Sequence, residues 1–219
     1  IENTQPAGVA VFDGRVFLAL GDAGVAIVDA ANLSAPRLTR LIRLEQHRAH
    51  NDAGRSFALA RRFVIGKLSN QRTLLLRSNR KRQEGAIEAA AETLEQVTKQ
   101  AAALPPPSGP PPDPGRPQAD SAQGSLLGLE GAGSHAYFGV FGKLLIEGWP
   151  FDGRARRPPT DPVNALLGYA YVLLMHQVMA AINIVGLDPY VGYLHSSQYG
   201  KPALALDLME EFRPIVADS

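Results

Sequence analysis

The first thirty residues alternate between apolar and polar positions in short runs, which is typical of β-strands. One apolar run ends at Phe12, the pair Asp13-Gly14 follows, and the alternation resumes over residues 16–20. An Asp-Gly pair between two such runs predicts a β-hairpin, and a further run at residues 25–28 predicts a third strand. About twenty residues of strand do not make a stable sheet domain alone. We therefore interpret residues 1–33 as a short β segment, which is either the remnant of a larger N-terminal β domain or a region that pairs with chain outside this sequence.

From residue 34 onward the apolar side chains recur every three or four positions, which is typical of amphipathic helices. The pair Asn51-Asp52 interrupts this pattern, and Asp52 is a good N-cap for a second helix. A break at residues 82–85 precedes a third helix that is rich in Ala and Glu. The pattern predicts a helical segment over residues 34–103.

Residues 104–124 have the composition of a linker. Eight of these 21 residues are proline, a composition that opposes a packed core and favours extended polyproline geometry. The chain is therefore expected to place a linker between the first helical segment and a second helical block over residues 125–219. The fold class that this order predicts is mainly α, with a short β segment in front.

The second block contains a long run, residues 162–187, with no Asp, Glu, Lys or Arg. A membrane-spanning helix needs about 20 apolar residues, so it is one interpretation of this run. Four polar side chains interrupt it: Asn164, His176, Gln177 and Asn183. We therefore prefer a central helix that is buried on most sides, and we expect no membrane association. Asp161-Pro162 predicts where the helix begins, and Gly186 predicts where it ends.

Charge is distributed unevenly along the chain, although the net charge of the 219 residues is only +1. Residues 37–82 hold eleven Arg and two Lys against one Glu and one Asp, a local charge of 13 − 2 = +11. The remainder carries (22 − 13) − (21 − 2) = −10. A basic segment of this density indicates phosphate binding, and the alternative is a solvated helix face. The excess of Arg over Lys favours forked contacts to phosphate oxygens.

The chain contains no cysteine. This excludes a disulfide framework, a thiolate zinc site and a thiol nucleophile. It agrees with a reducing compartment, and we expect a cytoplasmic location.

One histidine and several acids lie close together near the end of the chain. His195 precedes a strong helix former, residues 203–212, in which Asp207 lies three and four residues before Glu210 and Glu211. This spacing puts Asp207 on roughly the same helix face as each glutamate. Carboxylates with one imidazole suit Mg²⁺ or Mn²⁺ better than a dedicated Zn²⁺ site. The alternative is a group of solvated side chains.

Glu130 is the one charged residue between Asp120 and Lys143. A carboxylate in such apolar surroundings must be exposed, paired or metal-bound. It is either an exposed loop residue or a ligand from a separate helix that faces His195 and Glu210.

Several motifs of the second block resemble the catalytic block of the CRISPR-associated integrase family, the Cas-one proteins. They are G-L-E-G (128–131), Y-F (137–138), F-D-G-R-A-R-R-P-P-T-D-P-V-N-A-L-L (151–167), G-L-D-P-Y-V-G-Y-L-H (186–195) and K-P-A-L-A-L-D-L-M-E-E-F-R-P (201–214). Upstream, residues 60–77 resemble the basic helix of this family. Five motifs in order with long spacings are far more specific than one motif.

The resemblance implies a metal-dependent DNA integrase whose helical catalytic domain follows an N-terminal β domain. It implies that Glu130, His195 and Glu210 are catalytic metal ligands for Mg²⁺ or Mn²⁺. Asp207 would then be a supporting acid or would share the metal, and Glu211 competes with Glu210 for the ligand role. His195 has an alternative role in proton transfer, because imidazole titrates near neutrality.

The resemblance also implies partners. Family members work as homodimers joined by a small Cas-two-type subunit, and they join the 3′-hydroxyl of short foreign DNA, the prespacer, to a CRISPR repeat by transesterification. Some are fused to reverse transcriptases or nucleases. Two functions compete with the integrase: a non-catalytic DNA-binding or assembly subunit, and a transposon-type integrase of the same superfamily. The residues expected to contact double-stranded DNA are Arg61, Arg62, Lys67, Arg72 and Arg77, with Arg156 and Arg157 either touching DNA or pairing with acids.

Overall fold

The computed structural model describes residues 8–12, 15–19, 25–29, 36–107, 122–155, 158–195 and 199–219. Within these residues the chain forms three strands followed by six α-helices. The predicted fold class, mainly α with a short β segment in front, is confirmed.

The three strands form one antiparallel sheet in the order β1-β2-β3. They are β1 (Gly8–Phe12), β2 (Arg15–Ala19) and β3 (Val25–Asp29). Phe12 pairs with Arg15 at the end of the first two strands, so the predicted hairpin is confirmed, as is the third strand. The Asp13-Gly14 pair itself lies outside the described residues.

The basic segment folds into helices α1 (Pro36–Asn51) and α2 (Ala53–Asn79), and α3 (Gly85–Ala103) follows. Between α1 and α2, the Asp52 carboxylate accepts a hydrogen bond from the Arg55 N–H at 2.9 Å. This contact satisfies one of the backbone donors that the first turn of a helix leaves unpaired. Both predicted interruptions are therefore confirmed.

The second block forms α4 (Ala122–Phe141), α5 (Pro162–Val185) and α6 (Ala203–Phe212). Helix α4 begins three residues inside the stretch that the composition predicted as linker. The Asp161 carboxylate accepts the Asn164 N–H at 2.8 Å and caps α5, and Gly186 ends α5 with a φ of +83°. A residue without Cβ adopts this backbone conformation most readily, which explains the glycine at this end. Both predicted ends of α5 are confirmed.

The prediction that α5 is buried on most sides is wrong for the described residues. Only 11% of its most apolar 18-residue window is buried. Leu166 is 58% exposed, Tyr169 65% and Leu173 47%. A helix that is apolar all round does not specify which of its faces the rest of the same chain will cover. By length and composition α5 could cross a membrane, a test that core helices of soluble proteins also pass.

The chain divides into two compact units. The first takes in the sheet, α1, α2 up to Arg62, and the stretch from Met175 to Met209. The second takes in α2 from Phe63, α3, α4, α5 up to Leu174, and the chain from Glu210 onward.

In the second unit α4 packs closely on α2 and α3 at Gly133. A Cβ at this position would collide with a methyl group of Leu68 and would lie 3.3 Å from methyl groups of Leu94 and Val97. Leu68 and Leu94 are completely buried. The absence of a side chain at Gly133 therefore lets α4 approach α2 closely, one turn from Glu130.

Candidate active site

Two glutamates of the second unit converge on one buried lysine. The ammonium of Lys67, on α2, lies 2.7 Å from Glu210 Oε2 on α6 and forms a second ion pair with Glu130 Oε1 on α4. The side chains of Lys67 and Glu210 are 8% and 6% exposed, and that of Glu130 is 21% exposed. Glu130 lies on a helix, and the alternative of an exposed loop residue is therefore wrong.

The remaining contacts of these carboxylates balance the charge of the cluster. Arg213 donates a hydrogen bond to Glu210 Oε1, and the Ser134 hydroxyl donates to Glu130 Oε1 at 3.0 Å. Two carboxylates thus meet two cations within one unit. Buried charges are tolerated only when they are paired and hydrogen-bonded in this way.

A cavity of about 350 Å³ adjoins this cluster in the second unit, with Lys67 and Arg213 in its wall. Tyr171 OH and Tyr137 OH donate hydrogen bonds to Asp218 at 2.7 and 3.0 Å. Burial raises the pKa of Asp218 and the pKa values of both tyrosines. Asp218, which lines the cavity, is therefore held by two buried hydroxyl groups.

The adjacent glutamates Glu210 and Glu211 have different surroundings. Glu210 lies in the charged cluster, whereas the Glu211 carboxyl packs on Gly66, where a Cβ would lie 2.7 Å from Glu211 Oε1. Burial raises the pKa of Glu211. The geometry therefore favours Glu210 over Glu211 as a partner of Glu130.

In the first unit, Asp207 holds the loop that carries His195. Its carboxylate is completely buried. It accepts backbone N–H groups from Tyr193 at 2.6 Å, Leu194 at 3.0 Å and His195 at 2.9 Å. It also contacts Nδ1 of the His195 ring at 2.7 Å. Because a carboxylate only accepts, this contact puts the ring proton on Nδ1 and leaves Nε2 as the basic nitrogen.

Side chains of helix α1 hold the start of the same loop. This role was not predicted from the sequence. Gln46 is 4% exposed, donates to the carbonyls of Asp188 and Val191, and accepts the Asp188 N–H at 2.7 Å. The His50 ring contacts the carbonyl of Gly192 at 2.7 Å. The available signal was position: Gln46 lies four residues after Ile42 and three before the buried Ala49, on the face of α1 that packs inward.

The residues expected to bind DNA occupy different environments. Arg62 and Arg77 are exposed on α2. Arg61 lies over the Phe57 ring, and Arg72 is hydrogen-bonded to Glu95 at 2.7 Å. Lys67 contacts carboxylates, as described above. Arg156 and Arg157 lie outside the described residues.

The next arginine upstream, Arg154, has a structural contact. It donates to the side chain of Asn164 at 2.7 Å, and Asn164 is 1% exposed. Asn164 thus anchors the start of α5.

Among the described residues, no three His, Asp or Glu side chains are arranged to hold a metal ion as they stand. The donor chemistry of the Glu130–Glu210 pair nevertheless fits a divalent cation. Carboxylate oxygens are the ligands that Mg²⁺ and Mn²⁺ prefer. The buried ammonium of Lys67 places a positive charge between the two carboxylates.

Comparisons with known proteins identify the family of the chain. Residues 31–219 match the family model described as CRISPR associated protein Cas1. A CRISPR-associated endonuclease Cas1 of Thermus thermophilus is 41% identical over 177 residues, which cover 81% of this chain and 46% of that protein. An exonuclease Cas4/endonuclease Cas1 fusion of Geobacter sulfurreducens is 39% identical over 189 residues, covering 81% of this chain and 30% of the fusion.

Solved structures show the same relationship. A partial Cas6-RT-Cas1–Cas2 complex contains a chain that superposes with a TM-score of 0.66 at 26% identity, covering 88% of this chain and 52% of that one. The chain spans about half the length of the curated Cas1 endonucleases it matches. The match to the family model over most of the chain and the identities near 40% show that this chain belongs to the CRISPR-associated Cas1 family.

Proposed function

We propose that this chain forms the catalytic part of a divalent-metal-dependent DNA integrase of CRISPR adaptation. The observation that carries this proposal is the convergence of Glu130 and Glu210 on one buried cation. These are the two carboxylates to which the family resemblance assigns the metal. Carboxylates from separate helices that meet away from solvent are costly unless positive charge is supplied, and this cost favours a cation-binding role over a purely structural one.

The reaction is a transesterification. The oxygen of a DNA 3′-hydroxyl forms a new bond to phosphorus, the bond from phosphorus to the 3′-oxygen of the target strand breaks, and one proton passes from the attacking to the leaving hydroxyl. A bound divalent cation supplies positive charge that offsets the charge on the reacting phosphate and lowers the pKa of a coordinated hydroxyl. Glu130 and Glu210 would hold Mg²⁺ or Mn²⁺, and the resemblance adds His195 as third ligand.

Asp207 would support this chemistry by orienting His195. With the proton held on Nδ1 by Asp207, the ring offers Nε2 either to the metal or to a proton in transfer. This assigns Asp207 a positioning role, because both its oxygens already accept hydrogen bonds from the His195 loop.

The exposed guanidinium groups of Arg62 and Arg77 would hold backbone phosphates of double-stranded DNA, which adds affinity but reads no sequence. A second copy of the chain and a small Cas2-type subunit are the proposed protein partners. A Cas1–Cas2 complex among the structural relatives supports the Cas2-type subunit, and the second copy is what the family resemblance implies. A Cas4 nuclease fusion among the sequence relatives supports a fused or associated nuclease.

A strand-transfer assay tests the proposal. The 219-residue chain, with and without a Cas2-type subunit, is incubated with Mn²⁺, labelled short duplex DNA and a supercoiled plasmid that carries a repeat. We expect Glu130→Gln, Glu210→Gln and His195→Ala each to reduce joining by about 100-fold, because each removes a proposed ligand of the cation that would offset negative charge in the transition state.

The matched control is Glu88→Gln, a change of the same kind at an exposed position of α3, which should leave joining unchanged. DNA binding, measured by anisotropy, should survive in all four variants. Full joining activity in the three ligand variants would overturn the proposal. Salt-dependent DNA binding without any metal-dependent joining by the unmodified chain would favour the non-catalytic DNA-binding subunit.

A further inference from the structure

The ammonium group of Lys67 lies between the carboxylates of Glu130 and Glu210. These carboxylates belong to two other helices, and less than a tenth of the lysine side chain is exposed. The flanking buried positions of α2 are occupied by Val64, Leu68 and Gln71. The lysine is therefore part of the packed face of α2 and reaches the carboxylates from within the second unit.

The four ion-paired groups of the cluster carry no net charge before any metal binds. Lys67 and Arg213 contribute two positive charges, and Glu130 and Glu210 contribute two negative ones. A divalent cation that took both carboxylates would leave the Lys67 ammonium buried beside it without these two ion-pair partners, and Asp218, which lines the same cavity, would be its remaining acidic neighbour. Like charges at short range in a poorly solvated site repel strongly, so Lys67 and the metal compete for the same two carboxylates.

The structure offers a second position for the ammonium. Gln71 lies one helical turn after Lys67 on α2, on the same face, and is 1% exposed. Its Oε1 is buried and accepts no hydrogen bond within the described part of the chain. Lys67 and Gln71 both line the cavity of about 350 Å³, and the flexible four-carbon stem of a lysine can turn within such a space.

We propose that Lys67 is an exchangeable internal counter-ion: it holds Glu130 and Glu210 together while no metal is bound, and metal loading moves its ammonium toward Gln71. This inference rests on the proposed function, since it concerns the metal that the two glutamates would hold. In this inference Lys67 sets how tightly the two glutamates bind the metal.

Calorimetric titration of the 219-residue chain with Mn²⁺ alone, without DNA, tests the inference. Lys67→Met removes the competing charge and keeps most of the side-chain volume, so Mn²⁺ should bind about tenfold more tightly. Without metal the same variant should unfold at a lower temperature than the unmodified chain, and Mn²⁺ should raise its unfolding temperature by more. Lys99→Met is the matched control, because Lys99 is 74% exposed and forms its ion pair with Glu95 on its own helix; neither quantity should change.

Gln71→Leu tests where the ammonium goes. It should weaken Mn²⁺ binding when Lys67 is present and have no effect in the Lys67→Met background. An equal effect in both backgrounds would overturn the assignment of Gln71. If Lys67→Met does not fold, the unmodified chain still decides the question: Mn²⁺ should raise the labelling rate of Lys67 by an amine-reactive reagent severalfold, with Lys99 unchanged. Labelling of Lys67 that stays constant or falls would overturn the inference.

The two proposals fail in different ways. If the unmodified chain binds Mn²⁺ through Glu130 and Glu210 but Lys67→Met binds it no more tightly, the counter-ion inference is wrong and the metal-dependent function stands. If neither protein binds Mn²⁺, both are wrong.

Discussion

Asp207 and Glu210 lie three residues apart on α6, and both are buried, but they are stabilised by different kinds of partner. Asp207 receives three backbone N–H groups and a histidine ring. Glu210 receives the cationic side chains of Lys67 and Arg213. The first set of donors belongs to the main chain of one loop, whereas the second set stands on flexible side chains.

This difference separates a fixed centre from an exchangeable one. The backbone donors of Asp207 cannot leave unless the loop of residues 193–195 unfolds, so this carboxylate sets geometry. A side-chain cation can be replaced by another cation without disturbing the main chain. Ordinary hydrogen bonds thus orient His195, whereas Glu130 and Glu210 are held by side-chain ion pairs, which the proposed metal could replace.

The largest effect is expected from Asp207→Ala. The change leaves three N–H groups of the 193–195 loop without their acceptor, and each buried unpaired donor costs about 1–3 kcal/mol. Unfolding in urea should show a loss of about 3 kcal/mol or more, and Mn²⁺ should not restore it. Glu92→Ala, at an exposed position of α3, should change the free energy of unfolding by less than about 0.5 kcal/mol. A similarly small change for Asp207→Ala would mean that the loop does not depend on this carboxylate.

A smaller effect is expected from Gly133→Ala, which tests whether close packing of α4 brings Glu130 to Lys67. The new methyl group would collide with Leu68, and overpacking of this kind costs about 1–3 kcal/mol. Gly131→Ala is the matched control on the same helix, because a Cβ at Gly131 meets nothing within 4 Å. It should stabilise the protein by about 0.5–1 kcal/mol, since alanine is the better helix former. Opposite signs in thermal unfolding would support the packing argument, and two stabilising changes would contradict it.

Local rules in the sequence were enough to predict the elements. The hairpin of β1 and β2, the cap at Asp52 and both ends of α5 follow from the chemistry of single residues, and the structure has each of them. The burial of α5 was not predictable in this way. Its residues are apolar on every side, and only the tertiary arrangement decides which of them are covered.

The partner of Glu130 was equally beyond local rules. Its isolation among apolar residues indicated that it is exposed, paired or metal-bound, and the pairing with Lys67 joins positions 63 residues apart. Lys67 was expected at DNA phosphates because it lies in a basic segment. A closer signal was its spacing: it falls three and four residues after Val64 and Phe63 and one residue before Leu68, on the apolar stripe of α2, whereas Arg62 and Arg77 fall outside the stripe.

Glu211 is a third acid on α6, and its surroundings differ from those of Asp207 and Glu210. Burial alone raises the pKa of Glu211, whereas Asp207 accepts backbone N–H groups and Glu210 contacts cations. The pKa of Glu211 in the folded chain lies above its ordinary value of 4.5, so the folded state binds this proton more tightly than the unfolded state. Its contribution to stability is therefore fully present below pH 4.5 and is lost as the pH rises through the folded pKa.

Glu211→Gln removes this loss and should make the chain slightly more stable at neutral pH, with no gain at pH 4. Unfolding temperatures measured from pH 4 to 8 test this, with Glu88→Gln as the exposed control, which should give no pH-dependent difference. A Glu211→Gln variant that is less stable at neutral pH would show that the ionised carboxylate has a favourable partner, and Glu211 would then belong with Glu210 rather than apart from it.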